Sequence, residues 1–116
     1  MRIIKFRGLC KGVGWRFGEL HRGNQHEPYV GGALVQEETI GQFVGYEDNK
    51  RNEIYEGDIL KNKLTKELYL VVWNKAWAGF ALKSKNRLDH FLADGAKELL
   101  TVIGNAHENK DLLLEV

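Results

Sequence analysis

The acidic residues of this chain that are best placed for catalysis or metal binding lie in the stretch VGYEDNKRNEIYEGDILKN, at positions 44–62. Glu56 and Asp58 flank Gly57, and such a carboxylate pair can hold Mg²⁺ or serve as acid and base. The structural alternative is a turn, because Gly57 suits a backbone angle that side chains disfavour and Asp58 can accept hydrogen bonds from nearby amides. Glu53 or Asp48 could be added to the pair, but metal sites of this kind usually need ligands from distant segments, and the acids elsewhere in the chain have no distinguishing pattern. We therefore interpret Gly57 and Asp58 as a structural turn and keep a carboxylate-based enzyme site as an alternative.

The other reactive side chains do not have the spacing of an established catalytic or metal motif. The four histidines lie at 21, 26, 90 and 107, which is not a zinc-binding pattern, and Cys10 is the single cysteine. Ser84 is the single serine and is not in a Gly-x-Ser-x-Gly motif, and no phosphate-binding loop is present. We expect no metal and no cofactor, and we expect a binding protein rather than an enzyme.

Basic residues alternate with other residues in two segments. On an extended strand, alternate side chains point to one side, so each set would form a basic stripe that could follow phosphates, with Tyr69 or Trp77 near it to stack bases. These candidate binding residues are Lys61, Lys63, Trp77, Lys83, Lys85 and Arg87. The formal net charge is only +1, and lysines on an edge strand also prevent aggregation. Nucleic-acid binding is therefore the second hypothesis, after binding to a protein partner or to copies of the chain itself.

Charge is unevenly distributed along the chain. Residues 1–22 carry six basic side chains and one acidic one, whereas residues 23–116 carry eleven basic and fifteen acidic side chains. A basic N-terminal element could close the fold by complementary charge or present a positive stripe to an acidic partner. The chain has no membrane-length apolar run, no signal-peptide pattern and one cysteine, so we expect a soluble cytoplasmic protein.

Short segments of period-two hydrophobicity, separated by Gly, Asn and Asp, predict a mainly β protein. We expect a small antiparallel barrel, with an SH3-like barrel among the options, or a sandwich, formed as a single domain over residues 1–116. One short helix is expected near 86–93, and a final helical turn from Lys110. The strand phases predict a core of Ile4, Phe6, Phe43, Ile59, Leu70, Val72, Phe80, Leu82, Val102 and Ile103.

Four segments carry a family resemblance. They are Met1–Arg7, Gln42–Gly45, Glu53–Ile59 and the C-terminal group of Val102–Asn105 with Glu108, Asn109, Leu112 and Leu113. In this order they resemble the YopX family of small bacteriophage and prophage proteins of unknown function. The resemblance covers essentially the whole chain and implies a phage or prophage origin, a cytoplasmic location in the bacterial host and a mostly β fold. It implies no reaction and no catalytic residues.

The chain departs from the family pattern at two places. The family commonly has an Asn-Gly turn before the Ile-Tyr-Glu-Gly-Asp element, where this chain has Lys50-Arg51. A side chain disfavours the positive φ of such a turn, so we expect Asp48 and Asn49 to supply the turn instead. The family also commonly has a proline at the position of Lys110.

Overall fold

The computed structural model describes residues 3–85, 87–90 and 98–116. It is mainly β, with 53% strand and 8% helix, and its sheets are antiparallel, which confirms the predicted fold class. The chain divides into two compact units, Met1–Gly45 and Tyr46–Val116.

The first unit contains short strands and one turn of 3-10 helix at Glu37–Thr39. The strands are β1 (Phe6–Cys10), β2 (Gly14–Gly18), β3 (Leu20–Arg22), β4 (Pro28–Val30), β5 (Ala33–Leu34) and β6 (Gly41–Glu47). The last two residues of β6 belong to the second unit. Strand β1 pairs with both β2 and β6, and β4 pairs with both β3 and β5.

Apolar side chains and one close backbone approach hold the first unit together. Val30, Val35 and Phe43 are buried. A Cβ added to Gly8 would lie 2.7 Å from Val35 Cγ2, so only a glycine lets the valine pack directly on β1. The buried Thr39 hydroxyl accepts the Leu9 N–H at 2.8 Å, which ties the 3-10 turn to the same strand.

The second unit is built on a five-stranded antiparallel sheet with the order β11-β10-β9-β8-β12. Its elements are β7 (Glu53–Tyr55), β8 (Asp58–Asn62), β9 (Leu68–Asn74), β10 (Gly79–Ser84), β11 (Arg87–His90), β12 (Leu100–Asn105) and helix α1 (Lys110–Leu113). Tyr55, Ile54, Ile59 and Leu60 are among its most deeply buried side chains.

The predicted core is partly wrong in its strand phase. Phe43, Ile59 and Leu82 are buried as expected, but in β9 the buried residues are Tyr69 and Val71, not Leu70 and Val72. Every residue of β9 from 68 to 73 is apolar or aromatic, so hydrophobicity alone does not mark the inward face of this strand.

Two further core residues were predicted wrongly, Ile4 and Ile103. Ile4 is 60% exposed and precedes the first strand. Ile103 is 38% exposed and lies where the β12–β8 register shifts between Val102 and Gly104. An irregularity of this kind changes which side chains face inward, and a period-two pattern does not anticipate it.

The helix predicted near 86–93 is also wrong where the structure describes it. Residues 87–90 form strand β11, paired with β10 in the register Ser84↔Arg87 to Ala81↔His90. Pairing with an adjacent strand outweighs the weak helical spacing of four residues. The remaining predicted positions, 86 and 91–93, lie outside the described residues. The expected C-terminal turn is present as α1.

Candidate functional sites

The turn between β7 and β8 places Glu56 and Asp58 in different surroundings. Gly57 has a φ of 94° and its N–H donates to the Val71 carbonyl at 2.9 Å. Asp58 is 1% exposed, and its Oδ2 accepts the Tyr55 N–H at 2.7 Å, whereas Glu56 is half-buried. The Asp58 carboxylate therefore braces the turn and does not face solvent, where a substrate would approach.

A second buried carboxylate, Asp48, organises the loop between β6 and β7. It is 2% exposed and accepts three backbone N–H groups at 2.8 Å each, from Lys50, Asn52 and Val102. Burial raises the pKa of Asp48, but the hydrogen bonds from Val102, Asn52 and Lys50 together lower it below its ordinary value. Asp48 thus joins its own loop to β12.

The same loop corrects the expectation for the turn at Lys50-Arg51. Arg51 has a φ of 66°, the left-handed conformation that a glycine would adopt more easily. Its N–H donates to the Asp48 carbonyl at 3.1 Å, and the Asp48 N–H donates to the Asn52 carbonyl at 2.8 Å. The loop therefore keeps a positive-φ position although an arginine occupies it.

A polar cluster lies on one face of the five-stranded sheet. Tyr69 and Ser84 are buried in it, Glu67 and Asp89 are half-buried, and Arg87 is exposed. The Glu67 carboxylate accepts hydrogen bonds from the Tyr69 hydroxyl at 2.7 Å, from Arg87 Nη2 at 2.7 and 2.8 Å and from the Ser84 hydroxyl at 2.9 Å. The hydrogen bonds from Tyr69, Arg87 and Ser84, given in decreasing order of their effect, lower the pKa of Glu67 to about 2. Arg87 also donates from Nε to Asp89 at 2.9 Å.

The polar cluster pairs its charges internally. Burial, followed by the hydrogen bond to Glu67, raises the pKa of the Tyr69 hydroxyl, so the phenol remains protonated at neutral pH. The same carboxylate raises the pKa of Arg87. A carboxyl with a pKa of about 2 is ionised near neutral pH, so the Glu67 carboxylate accepts these hydrogen bonds as an anion.

Aromatic side chains are exposed around the hairpin of β9 and β10. We call Trp73, Trp77, Phe80 and His90 the hairpin aromatic group. Trp73 is 46% exposed and meets Phe80 edge-on, with ring centroids 5.2 Å apart. Trp77 is 40% exposed and stacks on His90 with centroids 4.0 Å apart and an interplanar angle of 22°.

The candidate basic residues do not form two extended stripes. β10 ends at Ser84, Lys85 has a φ of 50°, and Arg87 begins the next strand. Because Arg87 pairs with Ser84 and Lys83 pairs with Leu88, Lys83 and Arg87 project to opposite faces of the sheet. The extended geometry expected for Lys83, Lys85 and Arg87 is therefore wrong, and the physical reason is the turn at 85.

One pair of the predicted lysines does share a face. Lys61 pairs with Leu68, and Lys83 pairs with Leu70 two residues further along β9. Alternate residues of a strand face the same way, so Lys61 and Lys83 lie on one face of the sheet, and the same reasoning places His90 there. Lys63 is exposed just beyond the end of β8.

The first unit contains an open cleft that the sequence reasoning missed. It has a volume of about 730 Å³ and lies along the β3–β4 hairpin, where His21 pairs with Tyr29. Glu19 and Glu27 also line it, together with glycines and Asn24. The available signal was the two-residue spacing of Glu19 and His21 before the turn and of Glu27 and Tyr29 after it. The cleft presents hydrogen-bond acceptors beside an aromatic ring.

The histidines remain dispersed in the fold. No group of three or more His, Cys, Asp or Glu side chains with the arrangement of a metal site occurs within residues 3–85, 87–90 and 98–116. None of the helices in the described part of the chain has the length and apolar composition needed to cross a membrane.

The Asn105 side chain organises the C-terminal motif. Its Oδ1 accepts the N–H groups of His107 at 3.0 Å and Glu108 at 2.9 Å, and its Nδ2 donates to Glu108 Oε1. Asn109 Oδ1 in turn accepts the Asn105 N–H at 3.0 Å. The asparagines close the connection from β12 to α1.

This chain is thus a small, mainly β protein in which Asp48, Asp58 and Asn105 hold turns by hydrogen bonds and two tryptophans are exposed. Residues 17–114 match the model of the family described as YopX protein, so the chain belongs to the YopX family. The predicted resemblance is thereby confirmed. A comparison with curated proteins gives no match.

The fold is similar to that of a solved structure, the crystal structure of protein EF1440 from Enterococcus faecalis. The two chains share 22% sequence identity with a TM-score of 0.61, over 97% of this chain and 99% of the other. At this identity the similarity establishes a common fold and nothing about activity.

Proposed function

We propose that this protein acts by binding, to a protein partner or to copies of itself, as a phage- or prophage-encoded protein in the bacterial cytoplasm. The observation that carries the proposal is the exposure of Trp73 and Trp77 in the hairpin aromatic group of the second unit. The single cysteine is compatible with a reducing compartment. The alternative of a carboxylate-based enzyme at Glu56 and Asp58 has less support, because Asp58 is 1% exposed.

The two exposed tryptophans have the character of interface residues. Trp73 and Trp77 keep 46% and 40% of their surface exposed. Strand pairing places Trp73 and Phe80 on one face of the sheet and His90, on which Trp77 stacks, on the other face with Leu88. Large exposed apolar side chains mark interaction sites, and tryptophan is enriched among the residues that dominate binding energy. Each indole is also held by a ring contact, to Phe80 and to His90, so it loses little conformational freedom on binding.

The test measures partner capture and then affinity. The tagged protein is used to capture partners from prophage-bearing cells, and the captured protein is purified and titrated against the parent and against Trp77→Ala. We expect Trp77→Ala to weaken binding by at least tenfold, about 1.4 kcal/mol, as for a hot-spot residue. The matched control is Leu64→Ala, which removes a side chain that is 70% exposed outside the aromatic group. Equal affinity of Trp77→Ala and the parent would refute the role of the group.

A second candidate function is nucleic-acid binding, favoured by one specific observation. Lys61 and Lys83 share a sheet face with His90, on which Trp77 stacks, so a cationic and aromatic surface is available to a phosphate backbone and to bases. Arg87 is not part of this surface, because it lies on the opposite face and is paired with Glu67.

This candidate is tested by fluorescence anisotropy with labelled single- and double-stranded DNA at increasing salt. Phosphate contacts by Lys61 and Lys83 would give an affinity that falls linearly in log–log form, with a slope of about 0.7 to 0.9 per contact. The double variant Lys61→Gln, Lys83→Gln should then lose about two phosphate contacts. The matched control is the double variant Lys66→Gln, Lys110→Gln, at two exposed lysines. Absence of salt-dependent binding in the parent would exclude the candidate.

A further inference from the structure

The two edges of the five-stranded sheet differ in the described part of the chain. At one edge, β12 is covered by the loop after β6, because Asn49 N–H donates to the Leu100 carbonyl at 3.0 Å and Val102 N–H donates to Asp48 at 2.8 Å. At the other edge, no strand among the described residues pairs with the outer side of β11. Such an edge presents backbone donors and acceptors to another strand.

The hairpin register shows which backbone groups point outward from β11. Two residues connect β10 to β11, and Ser84 pairs with Arg87. In a two-residue hairpin the pair next to the turn is hydrogen-bonded, and the pairs then alternate, so Arg87 and Asp89 bond inward to β10. The N–H and C=O groups of Leu88 and His90 therefore point away from the sheet.

The sequence of β11, Arg-Leu-Asp-His, is self-complementary in one antiparallel register. A twofold axis through Leu88 places Arg87 of each copy directly opposite Asp89 of the second copy, and the outward groups of Leu88 bond to each other. Shifting the register by one outward pair in either direction instead places Asp89 opposite Asp89, or Arg87 opposite Arg87, which is repulsive. Hydrogen-bond phase and charge thus select the same register.

We propose that β11 pairs with β11 of a second copy of this chain, in the antiparallel register centred on Leu88, to give a continuous sheet across a dimer. The second copy is favoured over another strand because Arg87, which bonds Asp89 and Glu67 of its own chain, also faces Asp89 of the second copy, and this arrangement occurs twice about the axis. Leu88, 45% exposed, meets its counterpart on the axis and buries its apolar surface. The inference rests on the proposed binding function and specifies self-association as one form of it.

The test exploits the position of Leu88 on the axis. Sedimentation velocity of the intact chain should show a monomer–dimer equilibrium. Concentrations up to about 0.5 mM are used, because a four-residue edge forms a small and weak interface. L88D and L88K each place like charges opposite each other and should weaken the dimer at least about fivefold. An equimolar mixture of the two variants should restore dimerisation, since opposite charges then meet on the axis.

Controls separate loss of pairing from loss of folding. Leu88 is exposed and makes no part of the buried core, so L88D and L88K should both remain folded, with L88K melting slightly below L88D because Lys83 pairs with residue 88 in the hairpin. L64D, at another exposed leucine, should dimerise like the parent. A parent that remains monomeric, an L88D variant that dimerises normally, or a mixture that stays monomeric would each overturn the proposal. A monomeric parent that still binds a partner protein through Trp77 would leave the broader proposed function standing.

Discussion

Replacement of Asp48 by alanine tests whether a buried carboxylate holds the β6–β7 loop against β12. The substitution leaves three backbone N–H groups, of Lys50, Asn52 and Val102, without their acceptor. A hydrogen bond to a charged group contributes roughly 1.5–3 kcal/mol, but water can reach Lys50 and Asn52, which are exposed. Counting the half-buried Val102 donor fully and the other two in part, we expect a loss of about 3–5 kcal/mol in the free energy of unfolding.

The assay is urea unfolding followed by tryptophan fluorescence at neutral pH. Because domains of this size have a stability of about 5–15 kcal/mol, the variant should remain folded in water with a lower midpoint. The matched control is Asp111→Ala, which removes an exposed aspartate and should cost less than about 1 kcal/mol. If the two variants lost equal stability, the conclusion that the Asp48 carboxylate holds the β6–β7 loop against β12 would be refuted.

The pH dependence of Asp48 provides a second measurement on the same residue. Its folded pKa is lowered, so its contribution is present above the unfolded value and is lost as pH falls through the folded pKa. The stability difference between the parent and Asp48→Ala should therefore shrink in acid. A difference that grew as pH fell would contradict the assignment.

Three further changes have defined expectations. Arg51→Gly should raise stability by up to about 1 kcal/mol in urea unfolding, because glycine adopts a φ of 66° without strain; a loss of stability would show that the arginine side chain contributes there. For Glu67→Gln, whose parent carboxyl has a pKa lowered to about 2, the difference in melting temperature should be constant above about pH 5 and should vanish as pH falls towards 2; a pH-independent difference would argue against the pKa. Val71→Ala should cost about 2 kcal/mol more than Val72→Ala in the same urea assay, because Val71 is 1% exposed and Val72 is half-buried, and the reverse order would restore the predicted strand phase.

The class of fold was accessible from local patterns in the chain. The period-two alternation over residues 15–22 falls in observed strands β2 and β3, because alternation of side chains is a property of each strand by itself. The same local chemistry indicated a glycine role at Gly57, where φ is 94°.

The candidate sites were less accessible, because they depend on contacts between distant segments. Glu67 and Arg87 are twenty residues apart in the sequence. They meet because β10 pairs with β9 on one side and with β11 on the other. The loop carboxylate Asp48 reaches Val102 across 54 positions. No spacing rule for a single segment anticipates such pairs.

The sequence by itself determined that the chain forms short antiparallel strands and belongs with the YopX proteins, since both follow from residues read in order. Only the tertiary structure decided which face of β9 is buried. It alone also decided that Lys83 and Arg87 project to opposite faces of the sheet. The physical reason is the register: a turn at Lys85 reverses the chain and changes the face of every following side chain, and neither residue type nor spacing encodes where pairing with a neighbouring strand will place that turn.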